Sequence, residues 1–320
     1  MFNHMTWVSS IAFVYHSLLV CGAALLFAAT PATAQSTAET PAHNGLFHVS
    51  VQGRGEPVIL IPGLSSSGDV WDGTVAHLKA NHQCHVLTLA GFAGQPAWPA
   101  VDQGKFLISV EDELATYIHQ QNLRQPVIIG HSLGGEVALQ FASRYPDLAG
   151  RLIIVDSMPF LAGAFFQVDT VAQGDPIAVK MRASIKNETH EQYLDFVKSG
   201  AATRAMVTSN ADFTTVTKWG LTSDQPTVAE ALYELLEIDL RPRLSEIHQP
   251  TLIFATWAGI PGTTSEQVRQ LFDGEYQGLK QKQIVMAGKE RHFIMLDNPT
   301  WFYTQIDTFL AAPSTVAQVR

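Results

Sequence analysis

Residues 126–139 read Pro-Val-Ile-Ile-Gly-His-Ser-Leu-Gly-Gly-Glu-Val-Ala-Leu and combine three local patterns. The β-branched run 127–129 predicts a buried parallel strand. From Glu136 onward apolar residues recur at helical spacing and end near Pro146, which predicts a helix. Ser132 lies between them, in a Gly-x-Ser-x-Gly turn that joins a strand to a helix. Because free N–H groups and the helix dipole favour negative charge there, Ser132 is predicted to be a nucleophile.

The residues beside Ser132 are interpreted as structural. Gly130 and Gly134 flank it because a Cβ at either position is expected to collide with neighbouring backbone. The side chain of His131 is expected to point away from the nucleophile in such a turn.

The chain on both sides of this turn predicts alternating strands and helices. Predicted strands cover residues 46–51, 57–61, 84–89, 127–129, 152–156, 251–255 and 283–286, and predicted helices cover residues 69–80, 107–121, 265–272 and 299–310. Such alternation predicts an α/β fold with a doubly wound, mostly parallel sheet. The sheet belongs to a core made of residues 45–157 and 249–312.

Residues 158–248 interrupt the alternation. They carry helical patterns near residues 176–187, 190–199 and 226–238 and no convincing strand. A segment of this length is too long for a loop, so we expect an inserted helical cap over the carboxyl edge of the sheet.

The order of these motifs resembles the α/β-hydrolase fold family over nearly all of the chain after residue 45. The matching stretches are the loop 60–64 with Trp71 after it, the turn 130–135, the return from the cap at 239–254, and the loop 291–297. Pro62 departs from the pattern, since many members carry histidine there. The resemblance implies a serine hydrolase, and it does not specify a substrate.

The resemblance also implies the roles of further residues. His292 follows the last short strand and precedes the last helix, so its imidazole is expected to take the proton of Ser132 and return it to the leaving group. The backbone N–H groups of Leu64 and Leu133 are expected to form the oxyanion pocket. The hydroxyls of residues 65–67 either add a donor or cap the helix that follows.

The position of the catalytic acid departs from the family pattern. The usual loop, after strand 251–255, contains no carboxylate through Thr264, and Glu266 is expected in the first turn of a helix. The other position known in the family is the end of the preceding strand, where Asp156 stands. Asp156 is therefore the predicted acid, with a purely structural aspartate as the alternative.

Composition excludes several other functions. The formal net charge is −9 and no basic run appears, so binding to nucleic acid or to an anionic membrane is not expected. No cofactor is predicted, because no Gly-rich phosphate loop is present. The only cluster that suggests a metal is Cys84 with three nearby histidines, and strand alternation places Cys84 and His85 on opposite faces.

The first 34 residues contain no Asp, Glu, Lys or Arg and end in Ala32-Thr33-Ala34 after an apolar stretch. This pattern predicts a signal peptide cleaved after Ala34, with an uncleaved anchor as the alternative because the segment lacks Lys and Arg. Cleavage leaves Cys84 as the only thiol and no stable membrane insertion. The expected location is the periplasm or the exterior.

The predicted activity is hydrolysis of an ester-like bond in a small, largely apolar substrate. Amide, lactone or carbon–carbon hydrolysis, acyl transfer, and a non-catalytic binding protein on the same scaffold remain alternatives. The apolar residues of the cap either pack against the core or line an acyl pocket. The sequence does not indicate an oligomeric state.

Overall fold

The computed structural model describes residues 45–313, and a seven-stranded sheet runs through them. The predicted signal peptide lies outside the described residues. The strand order is β1-β3-β2-β4-β5-β6-β7, with β1 antiparallel to β3 and every other pair parallel. The strands are β1 (Phe47–Gly53), β2 (Glu56–Ile61), β3 (His82–Leu89), β4 (Val127–His131), β5 (Arg151–Val155), β6 (Thr251–Ala255) and β7 (Lys282–Met286).

Helices follow the strands in the alternation that the sequence predicts. They are α1 (Asp72–Leu78), α2 (Phe106–Gln120), α3 (Leu133–Arg144), α4 (Leu161–Phe166), α5 (Val171–Asn187), α6 (His190–Ser199), α7 (Asn210–Leu221), α8 (Gln225–Glu237), α9 (Ser265–Glu275), α10 (Ile294–Asp297) and α11 (Pro299–Ala311). Short 3₁₀ turns cover Gly68–Trp71, Val101–Gln103 and Arg241–Glu246. None of the helices within residues 45–313 has the length and apolarity needed to cross a bilayer.

The sheet is covered on both faces, which confirms the doubly wound fold. Along β4, Ile128 packs into a buried cluster with residues of α2, α3 and α9. Its neighbours Val127 and Ile129 pack into a second cluster with α1 and α11 on the opposite face. Strands that bury both faces are continuous apolar runs, and the sequence 127–129 has this pattern.

Two helices near the predicted site begin at positions other than those predicted. The helix predicted over 69–80 is a 3₁₀ turn followed by α1, and Ser67 Oγ caps the turn by accepting from Asp69 N at 3.1 Å. Helix α3 begins at Leu133, directly after the serine, although Gly134 and Gly135 disfavour helix. The turn itself starts the helix, because Ser132 O accepts from Glu136 N at 3.2 Å.

The helices α4–α8 lie between β5 and β6 and fall within residues 158–248. The pattern predicted α5, α6 and α8 but missed α4 and α7. Helix α4 has only six residues, and α7 contains three threonines and a glycine, which are poor helix formers. Helix α7 is stabilised at its start by the cap Ser209, whose Oγ accepts from Asp212 N at 3.0 Å.

This helical insertion contacts the loop that leaves the carboxyl end of β3. Ala93 N donates to Ser223 Oγ at 2.9 Å, Gly94 N donates to Thr222 O at 2.8 Å, and Asp224 N donates to Gly91 O at 2.7 Å. Gly91 has φ +76°, and a Cβ there would lie 2.5 Å from Thr227 Oγ1. The insertion therefore lies at the carboxyl edge of the sheet, where ligands of open α/β sheets bind.

Candidate active site

Ser132 lies at the sharp turn between β4 and α3. Its backbone has φ 53° and ψ −122°, a conformation that costs a non-glycine residue free energy and that is concentrated at functional sites. Ser132 N donates to Val155 O at 2.9 Å, which fixes the turn against β5.

The flanking glycines are required by close backbone approach, as predicted. A Cβ on Gly130 would lie 2.1 Å from Gly134 O, and a Cβ on Gly134 would lie 2.3 Å from Ile61 O. The serine turn is therefore packed directly against the end of β2 and the loop that follows it. This contact places Leu133, at the start of α3, beside the loop that carries Leu64.

Leu133 and the turn that carries Leu64 both lie beside Ser132. Leu133 is the first residue of α3, so its N–H has no acceptor one turn earlier within the helix. Leu64 lies in a turn that Ser66 N closes by donating to Gly63 O at 3.2 Å, with Ser65 at φ 55°. Their role as oxyanion donors stays a prediction.

His292 and Asp156 are in direct contact. His292 Nδ1 lies 2.6 Å from Asp156 Oδ2, although the two residues are far apart in sequence. Asp156 stands directly after β5 with φ 48°, and His292 lies in the loop between β7 and α10. Both side chains are largely buried, with 23% of His292 and 13% of Asp156 exposed, so the pair is only partly screened by water.

The loop after β6 carries a threonine that holds Asp156. Thr256 N donates to Asp156 Oδ1 at 2.9 Å, and Thr256 Oγ1 donates to Asp156 Oδ2 at 2.7 Å. Glu266 lies in the first turn of α9, as predicted. Asp239 instead pairs with Arg241, whose Nε donates to its Oδ1 at 2.9 Å.

His131 contacts the loop of His292, a contact that no sequence pattern predicted. Its ring is buried and its Nε2 lies 3.0 Å from His292 O. Burial and the neighbouring His292 ring, 4.4 Å away between centroids, hold the pKa of His131 well below its usual range. The neutral ring therefore donates from Nε2 to the backbone of the histidine loop. The sequence pattern shows only that His131 lies at the end of a buried strand, which does not predict its partner.

Buried carboxyl groups lie on α3 and α2 near the serine turn, and no sequence pattern predicted them. Burial and the nearby Glu111 and Asp239 carboxyls raise the pKa of Glu136 well above its usual range. Burial raises the pKa of Glu111 to about 8, although Arg144 Nη1 donates to its Oε2 at 2.8 Å. Burial therefore favours the neutral form of Glu136 over the carboxylate.

Cys84 and His85 lie on opposite faces of β3, as strand alternation predicted. Cys84 is in the cluster beside α1, and burial raises the pKa of its thiol to about 11. His85 Nδ1 lies 2.7 Å from Tyr117 Oη on α2. Within the described part of the chain, no three His, Cys, Asp or Glu side chains are grouped to hold a metal ion.

Comparison with known proteins identifies the class. Residues 58–305 match the model of the alpha/beta hydrolase family, and the chain belongs to that family. The resemblance seen in the motifs is thereby confirmed, and so is the fold.

Several proteins to which this chain is similar are esterases or related hydrolases. A pimeloyl-[acyl-carrier protein] methyl ester esterase from Aeromonas hydrophila is 27% identical over 273 residues, which cover 82% of this chain and 99% of that protein. An esterase from Exiguobacterium antarcticum and an enol-lactonase from Burkholderia xenovorans superpose with TM-scores of 0.67 and 0.65. Each is 16% identical and covers 85% of this chain and 98% of its own, a likeness that shows the fold. The chain is a hydrolase, and its relatives support ester hydrolysis.

Proposed function

We propose that this hydrolase cleaves an ester bond of a small, largely apolar substrate through Ser132, His292 and Asp156. The observation that supports the proposal best is the 2.6 Å contact between His292 Nδ1 and Asp156 Oδ2. This histidine–aspartate pair lies at the same sheet edge as the strained turn of Ser132. A serine nucleophile, a base and an orienting acid must be grouped in this way.

In the proposed reaction His292 acts first as a base and then as an acid. The carboxylate of Asp156 accepts from Nδ1, which leaves Nε2 free to take the Ser132 proton while Oγ attacks the ester carbonyl carbon. The N–H groups of Leu64 and Leu133 stabilise the oxyanion that forms. His292 then protonates the leaving alkoxide, and water hydrolyses the acyl-enzyme by the same two steps.

The helical insertion is proposed to act as a cap that shapes the substrate pocket. It lies at the carboxyl edge of the sheet, where ligands of open α/β sheets bind, and its residues Trp219 and Val207 pack into the buried cluster that contains Phe293 beside His292. The Aeromonas relative is named for a methyl ester, which supports an ester over the amide, lactone, carbon–carbon and acyl-transfer alternatives.

Labelling by a fluorophosphonate, combined with a series of p-nitrophenyl esters of increasing acyl length, tests this proposal. We expect covalent labelling and ester turnover with a preference among apolar acyl chains. A folded chain that neither takes up the label nor turns over any ester would instead be a non-catalytic binding protein on this scaffold.

The proposed location is the periplasm or the exterior. The uncharged segment 1–34 and the Ala32-Thr33-Ala34 triplet support cleavage after Ala34. Mass spectrometry of protein recovered from the producing cells is expected to show a mature chain that begins at Gln35. A mature chain that retains residues 1–34 would favour the anchor.

A further inference from the structure

Residues 204–208, between α6 and α7, are hydrogen-bonded to the loop that carries His292. Arg291 Nη1 donates to Arg204 O at 2.9 Å and to Val207 O at 2.8 Å. On the other side of His292, Phe293 N donates to Met206 O at 3.2 Å. The residue before and the residue after His292 are therefore both held by the insertion.

Asp297 joins the same two segments. Its Oδ1 accepts from Thr208 N at 2.9 Å and from Thr208 Oγ1 at 2.7 Å. Its Oδ2 accepts from Arg291 N at 2.8 Å. One carboxylate thus bonds to the 204–208 segment and to the histidine loop together, and hydrogen bonds to a charged acceptor are stronger than those between neutral groups.

Packing supports the same connection. Val207 is buried in one cluster with Phe293, Ile294 and Met295, directly after the histidine. Gly259, in the loop after β6, lies so close to the segment that a Cβ there would be 2.4 Å from Ala205 O. The 204–208 segment is therefore enclosed between the histidine loop and the loop after β6.

We propose that the 204–208 segment positions His292, and that Asp297 is the positioning residue that joins the segment to the histidine loop. The inference rests on the proposed role of His292 as the base. Asp156 fixes the ring through Nδ1, whereas this network fixes the backbone from which the ring projects. A shift of about 1 Å at a reacting group can lower a rate by on the order of 10²-fold, so the insertion influences the chemical step as well as the pocket.

Asp297→Asn is the primary test. The amide keeps the size of the carboxylate, but Thr208 and Arg291 donate to different oxygens, and the NH₂ that replaces one oxygen cannot accept from its donor. We expect kcat for a p-nitrophenyl ester to fall on the order of 10-fold to 100-fold with KM nearly unchanged, because the loss is felt in the transition state. The downfield proton resonance of the His292 Nδ1–H is expected to shift or broaden.

Gly259→Ala tests the inference with Asp297 left intact. Its added Cβ would lie 2.4 Å from Ala205 O, which must move, and 3.7 Å from Arg291 Cγ, an ordinary contact, so kcat is expected to fall again with little change in KM. This variant decides the question if Asp297→Asn fails to fold. The matched control is Asp273→Asn, which removes an exposed carboxylate from the pair that Arg269 Nε makes with Asp273 Oδ2 at 2.9 Å. It should leave both constants unchanged.

The outcomes separate this inference from the proposed function. The positioning role would be overturned if Asp297→Asn and Gly259→Ala both kept the wild-type kcat, or if only KM rose. In that case an inactive Ser132→Ala would still support Ser132 as the nucleophile. If Ser132→Ala keeps wild-type turnover in the same assay, the proposed function itself is wrong.

Discussion

Replacing Ser132 by alanine should lower kcat for ester hydrolysis by on the order of 10⁶ and abolish labelling by a fluorophosphonate. The hydroxyl is the only group that the variant loses, and it is the proposed attacking atom. Backbone contacts hold the turn that carries this hydroxyl: Ser132 N donates to Val155 O, and Gly134 lies close to Ile61 O. The fold should therefore survive, as circular dichroism and thermal unfolding can show.

Ser132→Gly is the matched control for backbone strain. Alanine keeps a Cβ at φ 53°, whereas glycine adopts positive φ freely. We expect both variants to be inactive and the glycine variant to be the more stable of the two, by on the order of 1 kcal/mol. Retained labelling in either variant would place the nucleophile elsewhere.

The sequence was sufficient for the fold because its strongest signals are local. Val127 to Ile129 form a strand buried on both faces, and such strands appear in the sequence as uninterrupted β-branched runs. The glycines at 130 and 134 were informative because only glycine tolerates the backbone contacts made there. Strand and helix ends shifted by a few residues where a cap or a turn, rather than apolar spacing, starts the element.

Contacts between distant segments could not be predicted in the same way. Nothing in the sequence near His131 shows that its Nε2 lies 3.0 Å from His292 O. The bonds from Arg291 to the 204–208 segment go to backbone carbonyls, which every residue type presents equally. The contact between Asp156 and His292 could be proposed because the family resemblance implies both positions and because both residues follow strands that end at one sheet edge.

Asp156→Asn is expected to lower kcat by on the order of 10³–10⁴ with little change in KM. Thr256 N donates to Oδ1 of Asp156, so the amide oxygen of the asparagine should take that position. The amide NH₂ then takes the place of Oδ2, which lies 2.6 Å from His292 Nδ1 in the wild type. Because the NH₂ can only donate, the His292 proton moves to Nε2, and the ring can no longer accept the proton of Ser132.

Asp239→Asn is the control, because Asp239 is a second partly buried aspartate beside the same core. Arg241 N, Nε and Nη2 donate to the Asp239 carboxylate at 3.0, 2.9 and 2.8 Å, where the chain returns from the insertion to the sheet. This variant should lower the midpoint of thermal unfolding and leave kcat close to that of the wild type. If Asp239→Asn loses kcat while Asp156→Asn keeps it, the two assignments are reversed. If both variants keep the wild-type kcat, the neutral acceptors of the loop that carries Thr256 are enough to orient His292. The hydrolase then does not need a carboxylate that accepts from His292 Nδ1.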